Sequence, residues 1–186
     1  MHDYAEIDRE FRPRVTRYLA RLTGQTEAED LAQETMIKIE RGLGGFNSGS
    51  TLATWIFRIA TNTALDWQKS SYVRRTTSSI PIHDGHFQQR QSKDRQPDES
   101  AIREEMQACI RRLLEEMTEK NRVALLLSEF ESLSIAEIAN VLGISYENAK
   151  IRIFRSREAL RKLLACRCHL YRDSDFNLAC EPLRRM

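Results

Sequence analysis

The stretch Ser134–Ile153, SIAEIANVLGISYENAKIRI, decides the fold class. Ile135, Ile138, Ala139 and Leu142 recur at the spacing of one helix face. Ala139 is small enough to let a second helix cross closely. Gly143 supplies a turn that needs a positive φ. Ser145 is placed to cap the next helix, and Ala149 and Ile153 return toward the core. This pattern predicts a helix-turn-helix. The second helix offers Ser145, Asn148, Lys150, Arg152, Arg155 and Arg157. Such groups bond base edges and phosphates when a helix enters the major groove. From Tyr146 to Arg172, eight Lys or Arg stand against two carboxylates, Glu147 and Glu158, a local net of +6 (8 − 2) in a chain whose net is +2. The bland alternative is a helical hairpin with a solvated basic face. The glycine spacing and the local charge together favour DNA binding.

The rest of the 186 residues reads as helix as well. Apolar residues make up 41% and charged residues 30%, a folded rather than a disordered balance. With only seven glycines and four prolines, there is little punctuation for a strand-rich fold. Phe11, Val15, Tyr18, Leu19 and Leu22 form a helical stripe. Thr26 with Glu29 suggests a capping box before a helix carrying Leu31, Thr35, Ile37 and Ile39. Glycines 42, 44 and 45 end that helix. A third begins near Thr51 and carries Leu52, Trp55, Ile56, Ile59, Ala60, Ala64 and Leu65. Ile102, Met106, Ile110, Leu113, Leu114 and Met117 predict a fourth, and Val123–Phe130 a fifth.

Between about 76 and 98 the composition shifts to Ser, Gln, Arg and His with Pro81 and Pro97. A flexible linker is expected there. The expectation is thus an all-α chain: a helical domain over 1–75, a linker over 76–98, a second helical domain over 99–164 ending in the helix-turn-helix, and a tail over 165–186. No apolar run is long enough to span a bilayer. The first ten residues lack the apolar core of a leader. A cytoplasmic location with no membrane insertion is therefore expected. No nucleophile, metal-ligand or phosphate-loop constellation gathers, and His83 and His86 fall in the linker. No catalysis of its own is expected.

Three segments carry a family resemblance. Glu29–Ile39 (EDLAQETMIKI) is similar to the polymerase-binding helix of the extracytoplasmic-function (ECF) sigma factors. Thr54–Asp66 (TWIFRIATNTALD) is similar to their promoter-melting helix, and Leu133–Leu160 resembles their terminal helix-turn-helix. Order and spacing match as well. The resemblance implies an alternative sigma factor that binds core RNA polymerase, through the β′ clamp helices and the β flap, and directs it to promoter DNA.

By that resemblance, Asp30, Gln33 and Glu34, one side of a helix, face the polymerase. Phe46, Asn47 and Ser48 lie in the loop that receives a flipped −10 base. Arg58, Asn62, Lys69, Arg74 and Arg75 hold the melted strand. The helix over 146–160 reads the −35 element, and an anti-sigma factor is an expected partner. Trp55 reads either as a stacking platform or, by its spacing with Leu52, Ile56 and Ile59, as core. Ala53 and Ile151 depart from the family pattern, where a basic residue and a small polar residue are common. The competing reading is a helix-turn-helix regulator that acts without polymerase.

Four cysteines occur, and Cys166, Cys168 and Cys180 cluster in the tail with His169. No cofactor is required by the main reading. Three thiols and an imidazole suffice in number for zinc or another soft metal. Their spacing matches no common structural zinc pattern, so incidental cysteines in a frayed tail are the alternative. Cys109 reads as core.

Overall fold

A computed structural model describes residues 3–47, 49–77, 108–172 and 178–182. Ser48, most of the expected linker and the stripe residues Ile102 and Met106 lie outside the described residues. Three helices make the first module: α1 (Tyr4–Thr23), α2 (Gln25–Gly42) and α3 (Leu52–Thr77). The α1 stripe is buried as its spacing requires, with Ile7 added to it. Tyr18 and Phe57 meet edge to face at 5.4 Å. The buried Tyr18 hydroxyl shares a 2.8 Å hydrogen bond with Thr61 Oγ1, which leaves no orphaned polar atom there. Burial raises the Tyr18 pKa, so the phenol stays neutral.

Two expectations fail in α2. Thr26 is not its cap: the helix begins at Gln25, and its N-cap Gly24 makes no side-chain cap bond. Gly24 takes φ +103°, which a residue with a Cβ rarely adopts, and so joins α1 to α2 in a single residue. Ile37 is 38% exposed rather than core. At 100° per residue it lies off the stripe of Leu31, Thr35 and Ile39, and Ala28, Ala32 and Met36 fill the face instead.

The second module holds α4 (helical at 108–115), α5 (Glu119–Glu129), α6 (Ile135–Leu142) and α7 (Tyr146–Arg167). Leu113, Leu114, Val123, Leu125, Leu126 and Leu127 are buried with Ile138, Val141 and Ile153. The tail departs from helix: β1 (Cys168–Arg172) pairs antiparallel with β2 (Leu178–Pro182), with Leu170 opposite Cys180. No helix among the described residues is long and apolar enough to cross a membrane.

The two modules dock. At the end of α5, the Glu131 side chain is only 5% exposed, and Arg14 of α1 bonds it at 3.2 Å. Burial raises the Glu131 pKa, while Arg14, Arg17 and Arg21 pull against that rise. Arg14 also lies over Phe11 and Phe57, at 5.0 and 5.4 Å from their ring centres. Arg21 lies 4.2 Å over Phe130. At the other end of the contact, Thr51 and Thr54 donate to Glu137 Oε1 at 2.7 and 3.2 Å.

A buried ion pair is asymmetric under mutation. Removing the cation strands a desolvated carboxylate, whereas neutralising the carboxylate strands only a half-exposed arginine. Arg14→Ala is expected to destabilise the docked form by about 1–3 kcal/mol. Glu131→Gln should cost clearly less. Because the Glu131 pKa is raised on folding, its contribution is greatest at acid pH and falls as pH rises through that value. Urea unfolding of the two variants between pH 4 and pH 8 checks both the order and the sign.

Candidate nucleic-acid interface

The helix-turn-helix is built by two caps and one turn. Ser134 Oγ accepts from the Glu137 N–H at 3.3 Å, and Glu137 Oε2 accepts from the Ser134 N–H at 2.9 Å. Its sequence signature is Ser134-x-x-Glu137, the pattern of a capping box. The Ser134 backbone bond, then Thr51 and the Ser134 hydroxyl, hold the Glu137 carboxyl below its ordinary pKa. Gly143 takes the left-handed conformation, φ +62°, and its N–H donates to Ala139 and Asn140. Ser145 then caps α7 by accepting from the Asn148 N–H at 3.3 Å. Ala149, Ile153 and Ser156 are the buried face of α7.

The opposite face is open. Ser145, Asn148, Lys150, Arg155 and Arg157 are exposed, and Arg152 is half-buried. Arg157 is committed elsewhere: it donates to Glu129 Oε1 at 2.8 Å and to Ser128 Oγ at 3.2 Å, which ties α7 to α5. The centre of the outward face is not cationic. At 100° per residue, Glu158, Ile151, Glu147 and Phe154 stand farthest from the buried face over positions 146–160, with Arg155 beside them. Ile151 is 48% exposed and Phe154 65%. These two are interface candidates that a search for charge passes over.

On the first module, Asp30, Gln33 and Glu34 are all exposed along α2. Glu34 pairs with Lys38 at 2.7 Å, and Lys38 also donates to Thr63 Oγ1 at 3.0 Å. Along α3, the exposed Arg58, Asn62 and Lys69 fall within 40° of one another, a polar stripe about 16 Å long. Lys69 pairs with Asp66 at 3.6 Å. The side chains of Arg74 and Arg75 lie outside the described residues.

Phe46 packs on Trp55 with ring centres 5.2 Å apart. A Cβ on Gly42 would come within 3.1 Å of the same indole. Trp55 therefore anchors the loop after α2 rather than standing free as a stacking platform. Asn47 is exposed at the loop tip, and its Oδ1 accepts from the Gly49 N–H at 3.3 Å.

Among the described residues no group of three or more His, Cys, Asp or Glu is placed to hold a metal ion. Cys166 is exposed and Cys168 is buried. The side chains of His169 and Cys180 lie outside the described residues.

Comparison with known proteins agrees with this layout. The family model for Sigma-70 region 2 matches residues 7–76, and that for Sigma-70 region 4 matches residues 107–160. The RNA polymerase sigma-H factor of Pseudomonas aeruginosa is 38% identical over 141 residues, 74% of this chain and 73% of that protein. The ECF RNA polymerase sigma-E factor of Escherichia coli is 29% identical over 153 residues, 81% and 80% of the two chains. The solved structure of the sigma factor RpoE with the anti-sigma factor NepR from Bartonella quintana superposes with a TM-score of 0.68 at 23% identity, covering 89% of this chain and 98% of that one. At that identity the likeness speaks for the fold.

The Glu137 capping box gives a pH-dependent expectation. A carboxyl whose pKa is lowered by folding stabilises the fold above its unfolded pKa, and this is lost as pH falls through the folded value. Glu137→Gln should cost about 1 kcal/mol at pH 7. The gap to the parent should close as pH falls below the ordinary carboxylate range, read by thermal melts across pH 3–7.

Proposed function

The chain belongs to the sigma-70 family of RNA polymerase sigma factors, within its ECF group, and we propose a specific division of labour for its residues. As an alternative sigma factor it directs promoter-specific transcription initiation. In this reading residues 1–75 bind core polymerase and melt the −10 element, and residues 99–164 read the −35 element. The exposed Asp30, Gln33 and Glu34 meet cationic helices of the β′ clamp, where carboxylates and an amide find charged donors. Phe46, Asn47 and Ser48 receive a flipped base. The stripe of Arg58, Asn62 and Lys69 tracks the melted strand, continued by Arg74 and Arg75.

One observation carries the −35 assignment: α7 turns a face ringed by Lys150, Arg152 and Arg155 to solvent, on a left-handed glycine turn. The basic ring holds phosphates, and the centre reads bases. In this reading Ile151 and Phe154 contact thymine 5-methyl groups and Glu147 accepts from cytosine N4.

The docked form cannot serve both elements at once. Their names place them about 25 base pairs apart, roughly 85 Å along the duplex. A compact body of this length is only about 40 Å across. In our reading the modules separate on the polymerase. No catalysis of its own and a cytoplasmic site of action follow from the same role. The RpoE relative was solved with an anti-sigma factor, and a protein of that kind is the proposed regulator here. A soft metal at Cys166, Cys168, His169 and Cys180 is not needed for any of these steps.

The test is run-off transcription with bacterial core polymerase on a promoter pool randomised at both elements. A selected promoter and product are expected, and Asp30→Lys should abolish the product. No product, with core binding also absent, contradicts the reading. Replacing thymine by deoxyuridine in the selected −35 element removes single methyl groups. It should lower output about fourfold per contacted methyl with the parent protein, and leave Ile151→Ala indifferent to the replacement.

A further inference from the structure

The tail cysteines have no part in promoter recognition as described above. Cys109 is half-buried on α4, and Cys168 is buried at the first position of β1. Their sulfurs lie 3.4 Å apart, across 59 positions of sequence. That is contact distance for two thiols. Cys166, two residues before Cys168, is exposed on the last turn of α7. The two sulfurs in contact are therefore not the pair that proximity in sequence suggests. The contact itself makes Cys109 and Cys168 a pair of thiols poised for each other.

We propose that Cys109 and Cys168 form a redox-modification site that closes an intramolecular disulfide on meeting a peroxide. Cys109 is the more accessible of the two and reacts first. Its thiolate sulfur attacks the peroxide, a S–O bond forms, the O–O bond breaks, and the departing hydroxide takes up the proton that Cys109 released, as the first water. Cys168 Sγ then attacks the Cys109 sulfur, the S–O bond breaks, and the departing oxygen takes the Cys168 proton as water. Two thiols are oxidised and one hydrogen peroxide is reduced to two waters.

The sulfurs need only approach from contact to a bond length of about 2 Å. The bond would tie α4, where the described part of the second module begins, to the strand that follows α7. Ile110 and Arg111, next to Cys109 on α4, line a crevice of about 470 Å³ against Arg17, Ala20 and Arg21 of α1. The cross-linked helix is thus one that faces the first module. Disulfides of this kind in a reducing compartment are transient and serve sensing rather than permanent stability.

The experiment uses the full chain, reduced and treated with chelator, then exposed to a few equivalents of hydrogen peroxide. The expected result is a mass loss of about 2 Da and a Cys109–Cys168 cross-linked peptide. The melting temperature should rise by roughly 5–15 °C, because the bond constrains the unfolded chain. Dithiothreitol should reverse all three changes. Cys166→Ser should behave as the parent, and Cys109→Ala and Cys168→Ala should each lose the mass change. A bond found instead at Cys166 or Cys180 would overturn the proposal. So would oxidation of Cys166 alone while Cys109 and Cys168 remain thiols.

Discussion

Glu131 is the constraint on which the arrangement of this molecule depends. It is a carboxylate removed from water at the end of α5, and a charge so placed must find a cation or shed its ionised form. The cation comes from the other module, as Arg14 on α1, with Arg17 and Arg21 contributing at longer range. Surface pairs such as Glu34–Lys38 or Asp66–Lys69 are worth little because water screens them. The buried pair is different, since partial separation would leave the carboxylate dry and unpaired. Arg21 on Phe130 and the two threonines on Glu137 fix the angle at which the modules meet.

This coupling connects the two surfaces proposed to face DNA. Thr51, just before α3, and Thr54, in its first turn, follow the loop proposed to receive the flipped base, and they bond the residue that caps the first helix of the helix-turn-helix. In the proposed division of labour, Glu137 thus couples the −35 reader to the start of the −10 reader in the free chain. An ion pair and two hydroxyl bonds are a modest barrier, of the size that polymerase contacts can replace.

Much of this was legible in the sequence, and the failures have identifiable causes. The α1 stripe, the αL glycine at 143 and the Ser145 cap follow from local periodicity and backbone chemistry, so they read correctly. Thr26 has the pattern of a cap but is not one, because a one-residue glycine link at positive φ leaves no distinctive pattern around it. Ile37 has a core residue's side chain, but its helical phase turns it to solvent. The Arg14–Glu131 pair joins residues 117 positions apart and has no local signature. On α7 the basic residues are legible from charge and Ile151 from its departure from the family pattern, whereas the exposure of Phe154 and the bonds of Arg157 to α5 have no local signature. The Cys109–Cys168 contact depends on where the chain returns after α7, which no spacing rule supplies.

The central claim is that one chain carries two promoter-reading modules, docked through Glu131 when free and separated when they work. It is tested most directly by the distance between dyes carried on unnatural amino acids at positions 9 and 162, on α1 and α7. The account predicts a short distance in the free protein and an increase of roughly 40 Å or more in the promoter-bound polymerase complex. An unchanged distance in a complex that makes the run-off product would contradict it.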